Sequence, residues 1–511
     1  MENLGIALNL VGTFEVMIAI SIGAFAGIVF GAIPGLTYSM ALALMLPFTF
    51  TMEPVTGISL LLATYIGGMT GGSISAILIG IPGTPSAAAT AADGYAMTKR
   101  GDASIALGTA VIVSTIGGLI SLIIMILLVD FISKFAIKFG PAEIFMLVVF
   151  GFSTICGLSE RTLFRGLVAG VLGLMLMTIG TDEIEGISRF TFGSTQMLQG
   201  VNLLVAMIGL FAVPHILEVF NMRLNKEDAE NYDIGTVKTK LPSFSLLKKY
   251  FNLILRCVGL GTSIGAIPGS GGPIAAFLAY SHAKNSEKSQ EEKDKYGKGS
   301  IGGVVAPETA NNAVTGGAMV PLLSLGIPGD PATAIILGGL LIHGLSPGPM
   351  LFIENAPQVY SIYLAILVAY IIVFIFQVNF IKHIVKILKV KPHHLGVGIL
   401  VMVVVGSYAI RNSFLDVNVM ILMGLIGYFF NRIQLPVTPI VLGMVLGKTI
   451  ETEYRTAMSL SAGDPTIFFS SIVSLLFFGL IILTIFLQVR KRVIEVKKQK
   501  QLKEQLQTWK L

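Results

Sequence analysis

Hydrophobic positions along this chain run in long blocks, with none of the short alternation of a water-facing sheet. Blocks 103–129, 358–381 and 466–489 hold no charged residue. Each exceeds the roughly 20 helical residues that span a hydrocarbon core. Apolar blocks at 141–158, 163–181, 200–220, 395–410, 414–431 and 435–450 extend the series. Four other apolar regions are interrupted. GAIPG lies near the middle of 8–50 and of 250–283, and GIPG interrupts 54–96 and 302–345. Proline lacks the backbone donor that a continuous helix needs. The first two regions therefore read as helical hairpins bent at Pro-Gly, and the other two as single crossings with a break. The pattern predicts an all-α polytopic membrane protein with about ten to twelve membrane-crossing segments.

The interruptions also expose an internal repeat. GAIPG at 31–35 returns at 265–269, TGGS at 70–73 returns as TGGA at 315–318, and GIPGTP at 80–85 returns as GIPGDP at 326–331. The order is the same and the offset nearly constant. We read a first transmembrane repeat over 1–220, a cytoplasmic linker over 221–249, a second repeat over 250–489 and a basic cytoplasmic tail over 490–511. Loop charge gives the orientation. Residues 47–54 after the first GAIPG carry no Lys or Arg, whereas 284–298 after the second carry five lysines. After GIPG the order reverses: Lys99 and Arg100 follow the first copy, and 343–357 after the second carry neither. Basic loops stay on the cytoplasmic side, so equivalent loops fall on opposite faces. That is the mark of inverted-topology repeats, a common transporter construction. Lys134 and Lys138 are the exception, in a loop that this scheme puts outside.

Composition sharpens the class. Hydrophobic residues make up 54% and charged residues 13%, with a mean hydropathy of +0.81. A soluble domain is about a quarter charged, so a large soluble enzyme is excluded. The net charge of +6 comes from short loops and from the tail, where Arg490, Lys491, Arg492 and Lys497 begin a basic run. That is a membrane-orientation signal and implies no nucleic acid. Cys156 and Cys257 lie in apolar stretches and suggest neither a disulfide framework nor a Cys-based metal site. No cofactor is expected. The N-terminus MENLGIALNL lacks a basic signal-peptide region, so the first hydrophobic segment is expected to remain in the mature protein.

Broken backbone cannot face lipid, because its N–H and C=O groups would go unsatisfied. Four Pro-Gly breaks in two matched pairs therefore mark one central place. Half-helix N-termini there can hold a carboxylate without Arg or Lys. The polar residues gather at these breaks: Thr84, Ser86, Thr90 and Asp93 in the first half, and Glu308, Thr309, Asn311, Asn312, Thr315 and Asp330 in the second. Asn311 and Asn312 read as substrate ligands. An acid inside the membrane is a functional candidate by default, so Glu308 reads as a proton relay or cation ligand, with a helix cap as the alternative. Asp330 and Asp93 fit a turn or cap as well as a site. The run Gly269-Ser270-Gly271-Gly272 fits an anion-binding nest or a flexible hairpin tip. GTSIG at 261–265 matches G-x-S-x-G. A serine hydrolase would need a strand–turn–helix setting and a nearby histidine, and we expect no enzyme.

With these motifs assembled, the chain resembles the large membrane (permease) subunit of the tripartite tricarboxylate transporters. The resemblance covers nearly the whole chain. It rests on GAIPG at 31–35, GIPGTPSAAATAADGYAMTKRG at 80–101 and APETANNAVTGGAMVPLLSLGIPGDPATA at 306–334. It implies a bacterial inner-membrane symporter that imports a tricarboxylate or other carboxylate on a Na+ or H+ gradient. It also implies two partners, a small membrane subunit and an extracytoplasmic solute-binding protein. The alternative is a stand-alone anion permease or channel without a binding protein. The site residues carried over are Pro34, Gly35, Pro82, Gly83, Thr84, Pro85, Asn311, Asn312, Pro328 and Gly329. Added to the polar residues above, they give an expected substrate site of Pro34, Gly35, Gly83, Thr84, Pro85, Ser86, Gly269, Ser270, Asn311, Asn312, Thr315 and Gly329. Glu308 and Asp330 are the expected ion-coupling residues, since an acid so close to an anion site suits a cation better than the substrate.

Overall fold

The structure, a computed structural model, describes residues 2–158, 163–182, 184–221, 239–387 and 392–508. The N-terminal part holds α1 (Glu2–Val11), α2 (Phe14–Ala32), α3 (Tyr38–Thr49) and α4 (Pro54–Ile79), and a tight turn at Pro85–Ala87 leads into α5 (Ala88–Lys99). There follow α6 (Ala103–Ala136), α7 (Pro141–Leu158), α8 (Leu163–Met177) and α9 (Leu203–Asn221). The C-terminal part holds α10 (Phe244–Gly265), α11 (Gly271–Ser286), α12 (Gly302–Leu325), α13 (Pro331–Ile342), α14 (Ala356–Asn379) and α15 (Ile381–Ile387). It ends in α16 (Pro392–Arg411), α17 (Phe414–Arg432), α18 (Thr438–Leu460) and α19 (Ile472–Thr508). Sheet among the described residues amounts to one two-residue ladder, Gly180–Thr181 against Ser188–Arg189.

Among the described residues, six helical stretches are long and apolar enough to cross a membrane: α2, α4, α6, α14, α17 and Ile472–Arg490 of α19. Shorter apolar stretches lie in α3, α7, α8, α9, α13 and α16. The protein is thus an all-α polytopic membrane protein. The apolar blocks did not announce α1, nor the extension of α18 to Leu460 and of α19 to Thr508.

All four Pro-Gly motifs interrupt helices, but proline is not the whole cause. Pro47, Pro214, Pro307 and Pro321 sit inside helices. What sets the breaks apart is a glycine in the left-handed region: Gly35 (φ 88°) and Gly269 (φ 82°) in the two GAIPG copies, Gly80 (φ 72°) and Gly326 (φ 70°) in the two GIPG copies. Side chains with a Cβ rarely adopt that conformation, so the turn is written by one glycine of each motif.

By compactness the chain forms two units, each drawn from two stretches. The larger comprises Met1–Ile137 and Leu204–Tyr428, the smaller Lys138–Leu203 and Phe429–Leu511. This division cuts across the two consecutive repeats read from the sequence. Residues 222–238 of the expected linker and 509–511 of the tail lie outside the described residues.

In the larger unit α2 lies along α4 and α10 lies along α12, and small residues let the backbones approach. A Cβ on Gly27 would strike the Thr64 carbonyl, and one on Gly31 the Gly68 carbonyl. In the later pair a Cβ on Gly261 would strike the Ala310 carbonyl, and one on Gly265 would lie 2.7 Å from the Val314 carbonyl. The early and late helices also interlock, with α6 packed on α12 and α4 on α14.

In the smaller unit α8 meets α18 through Gly173 at the Ile440 carbonyl and Gly443 at the Gly170 carbonyl. The ladder segment after α8 and the second half of α18 carry a closed ion cluster. Arg189 meets Glu451 at 2.9 Å and Asp182 at 3.4 Å, and Arg455 meets Asp182 at 3.0 Å and Glu451 at 2.7 Å. The Ile184 amide donating to Asp182, with Arg455 and Arg189 beside it, holds this carboxyl below the usual carboxylate range. A group with a depressed folded value contributes stability above its unfolded pKa and loses it as pH falls through the folded one. The gap in melting temperature between wild type and Asp182→Asn is therefore expected to be constant near neutrality and to close below about pH 4. Thermal unfolding at stepped pH measures it, and a gap that persists into acid would refute the assignment.

Candidate functional site

In each part of the larger unit the hairpin bend abuts the helix break. A Cβ on Gly83 would strike the Gly31 carbonyl and lie 2.8 Å from Ser75 Oγ. A Cβ on Gly329 would lie 2.8 Å from the Gly265 carbonyl, and the Gly269 N–H donates to the Gly329 carbonyl at 2.7 Å. The four interruptions thus form two contacting pairs, GAIPG with GIPG in both cases. Pro34 and Gly35 are half-buried at the α2–α3 bend, which reaches Gly83 through Gly31.

Several expected site residues converge where α11 begins. A methyl on Gly272 would lie 2.5 Å from Asn311 Oδ1, and 3.2 Å from both Ser86 Cβ and the Met69 side chain. Asn311 Nδ2 donates to the Met69 carbonyl at 3.0 Å, while its Oδ1 is buried and accepts no hydrogen bond from the described residues. Ser86 and Thr84 are buried with their hydroxyls 3.1 Å apart, Pro85 between them is exposed, and buried Ser270 precedes α11. Hydroxyls, an amide and a helix N-terminus gathered without Lys or Arg suit a small anion.

Asn312 and Thr315 make other contacts. Successive helical positions point about 100° apart, at 3.6 residues per turn, so two adjacent asparagines cannot both face one partner. Asn312 Nδ2 donates to the Glu308 carbonyl at 3.1 Å. Thr315 donates to the Asn312 carbonyl at 2.6 Å and meets the Tyr370 hydroxyl at 2.5 Å. The contacts of these two residues thus run toward Glu308 and α14.

The two acids differ in kind. Glu308 is buried in the body of α12, whose N-cap is Ile301, so the helix-cap alternative fails. Thr90 Oγ1 of α5 donates to its Oε1 at 2.6 Å, and Ser114 Oγ of α6 to its Oε2 at 3.2 Å. Asp330 is the N-cap of α13. It accepts from the Thr333 N–H at 2.7 Å, Thr333 Oγ1 accepts from the Asp330 N–H at 2.8 Å, and the Tyr65 hydroxyl donates to its other oxygen at 2.9 Å. Ser263 of GTSIG lies within α10, so the strand–turn–helix setting of a serine nucleophile is missing there. Sequence reasoning missed Tyr65, Met69, Ser114 and Tyr370. A serine in an apolar helix usually bonds its own backbone, and nothing in the sequence set Ser114 apart.

Comparison with known proteins agrees in extent with this architecture. Residues 17–442 match the model of the tripartite tricarboxylate transporter TctA family. A relative in Agrobacterium vitis, described as an uncharacterized 52.8 kDa protein in the TAR-I ttuC' 3' region, is 34% identical over 465 residues, which cover 90% of this chain and 90% of its own. An uncharacterized protein in the TAR-II ttuC' 3' region of the same organism is 34% identical over 220 residues, 43% of this chain and 90% of its own. No solved structure matches. With the family match spanning every interrupted helix, the chain belongs to the tripartite tricarboxylate transporter TctA family, as a membrane component of such a transporter.

Proposed function

We propose that the protein imports a small organic anion, a tricarboxylate or other carboxylate, across a bacterial inner membrane on a Na+ or H+ gradient. In this reading a solute-binding protein delivers the substrate from outside, a small membrane subunit completes the transporter, and the C-terminus is cytoplasmic. The observation that carries it is the meeting of Ser86, Asn311 and the start of α11, one helical turn from the buried Glu308. The substrate carboxylate sits against the N-terminus of α11, the Asn311 amide and the hydroxyls of Thr84 and Ser86. Pro34, Gly35, Gly83, Pro85, Gly269, Ser270 and Gly329 shape the surrounding bends. Glu308 takes the coupling cation. Asp330, with its carboxylate engaged by Thr333 and Tyr65, fixes the second break. Asn312 and Thr315 support Glu308 and α14.

Two inverted-topology repeats account for the mirrored loop charge and for the matching glycine contacts of α2 on α4 and α10 on α12. On this reading 284–300 is cytoplasmic and 343–357 extracytoplasmic. Single cysteines at Lys293 and Pro349 in a Cys-free background are expected to differ, with only Pro349→Cys reacting with an impermeant maleimide added to intact cells. Equal reaction at both positions would remove the inverted arrangement.

The substrate assignment is tested by uptake of radiolabelled citrate and other carboxylates into cells expressing the protein with and without its candidate partners. No carboxylate uptake under any imposed gradient, with the full complex assembled, would overturn it.

A further inference from the structure

Asp93 lies outside the candidate substrate site, yet it is among the most heavily bonded side chains in the protein. Its Oδ1 accepts the backbone N–H groups of Gly297 at 2.9 Å and of Gly299 and Ser300 at 2.7 Å each, and its Oδ2 accepts the Tyr280 hydroxyl at 2.8 Å. Gly297 and Gly299 have φ of 85° and 103°, which turns successive N–H groups inward as a nest for one oxygen. Seven residues on, at the C-cap of α5, Arg100 donates to the Gly299 carbonyl at 2.5 Å. Helix α5 therefore grips loop 297–300 at two points. A Cβ on Gly303, at the start of α12, would collide with the Asp93 carboxylate.

One turn before Asp93 on α5 stands Thr90, bonded to Glu308. At its leading turn stands Ser86, close to the start of α11 and to Asn311. The gripped loop opens α12, which carries Glu308 and Asn311, and Tyr280 lies on α11. A 12-residue helix about 18 Å long thus adjoins the candidate substrate site through the turn that leads into it, meets the buried acid in its first turn, and holds the loop from its middle and its far end. A static staple needs only the last of these.

We propose that Asp93 is a positioning residue: through α5 it ties the state of Glu308 to loop 297–300, so that release of Thr90 by Glu308 loosens the latch at the loop. The proposal rests on the reading of Glu308 as the coupling acid. The mechanical link is measured separately from transport.

Hydrogen exchange of the full-length protein in nanodiscs, followed by mass spectrometry of peptides covering 296–302, tests it. Asp93→Asn removes a charged acceptor, and exchange there is expected to rise about tenfold or more. Thr90→Val and Glu308→Gln leave Asp93 intact and are expected to raise exchange in the same peptides, while Asp102→Asn leaves it at the wild-type rate. If Asp93→Asn accelerates exchange but Thr90→Val and Glu308→Gln do not, the latch is a local staple and the proposal falls. It falls equally if Asp93→Asn changes nothing. Should Asp93→Asn fail to fold, Arg100→Gln loosens the same loop with the carboxylate in place, and the comparison with Thr90→Val stands. Loss of transport dependence on Glu308, with the exchange link intact, would overturn the coupling assignment alone.

Discussion

Glu308→Gln is expected to abolish accumulation driven by an ion gradient while sparing exchange of labelled for unlabelled substrate. Moving one net charge against the membrane potential costs about 2.3 kcal/mol per 100 mV, so import of a multivalent anion into a cell that is negative inside requires cations to travel with it. Glu308 is a buried acid held by two neutral hydroxyls, from Thr90 and Ser114, with no backbone N–H donor to it among the described residues. A lone charge in such surroundings is costly unless a proton or a metal cation balances it. Glutamine keeps the shape, but as a neutral amide it holds Thr90 more weakly than a carboxylate does and cannot carry that cation. Asp330→Asn is the matched control. It weakens the cap of α13 and the Tyr65 bond, and is expected to lower the amount of folded protein more than it alters coupling. Vesicles given first a sodium and then a pH gradient read the outcome. Full accumulation by Glu308→Gln under either one would show that this acid serves structure alone.

Asn311→Ala is expected to raise the half-saturating substrate concentration between tenfold and a hundredfold. The change corresponds to the loss of one hydrogen bond to a charged group, about 1.5–3 kcal/mol, converted at about 1.4 kcal/mol per tenfold. Asn312→Ala, one residue on, is expected to leave that concentration near the wild-type value, because it is Asn311 that lies beside Gly272 and Ser86, while the Asn312 amide bonds within α12. Initial uptake rates over a range of substrate concentrations, normalised to protein in the membrane, separate the two. Equal effects from both variants would mean that the substrate meets α12 in a different rotation.

Much of the fold and part of the site are legible in the amino-acid sequence alone. The glycine and proline signals at 31–35, 80–85, 265–269 and 326–331 mark the interruptions because few other residues adopt the required backbone. Burial of polar residues at those points follows from the cost of bare backbone in lipid. What stays hidden depends on rotation and on partners distant in sequence. Asn311 and Asn312 are indistinguishable as letters, and only the phase of α12 parts them. Glu308 reads equally as a cap because a proline precedes it, yet Pro307 is inside the helix. Ser114 and Tyr65 stand out only when α6 and α4 are brought to Glu308 and Asp330. The two units, each gathered from separated stretches, cannot be found by cutting the chain at its polar linker.

The interlocking of early and late helices bears on how the chain is made. Helix α6 carries Gly117, Ser114 and Ser121 on the side that meets α12, and Ser121 donates to the Ala313 carbonyl. Its partner lies nearly 200 residues downstream, and at about 5–20 residues per second it leaves the ribosome roughly ten to forty seconds later. During that wait α6 enters the bilayer with the small, hydroxyl-bearing face that later meets α12 still uncovered, and the largely buried α4 still lacks α14. These surfaces stay half-built until the later helices arrive. Substitutions that make this face harder to hold in lipid would lower the yield of the protein without touching the rate at which each finished copy turns over.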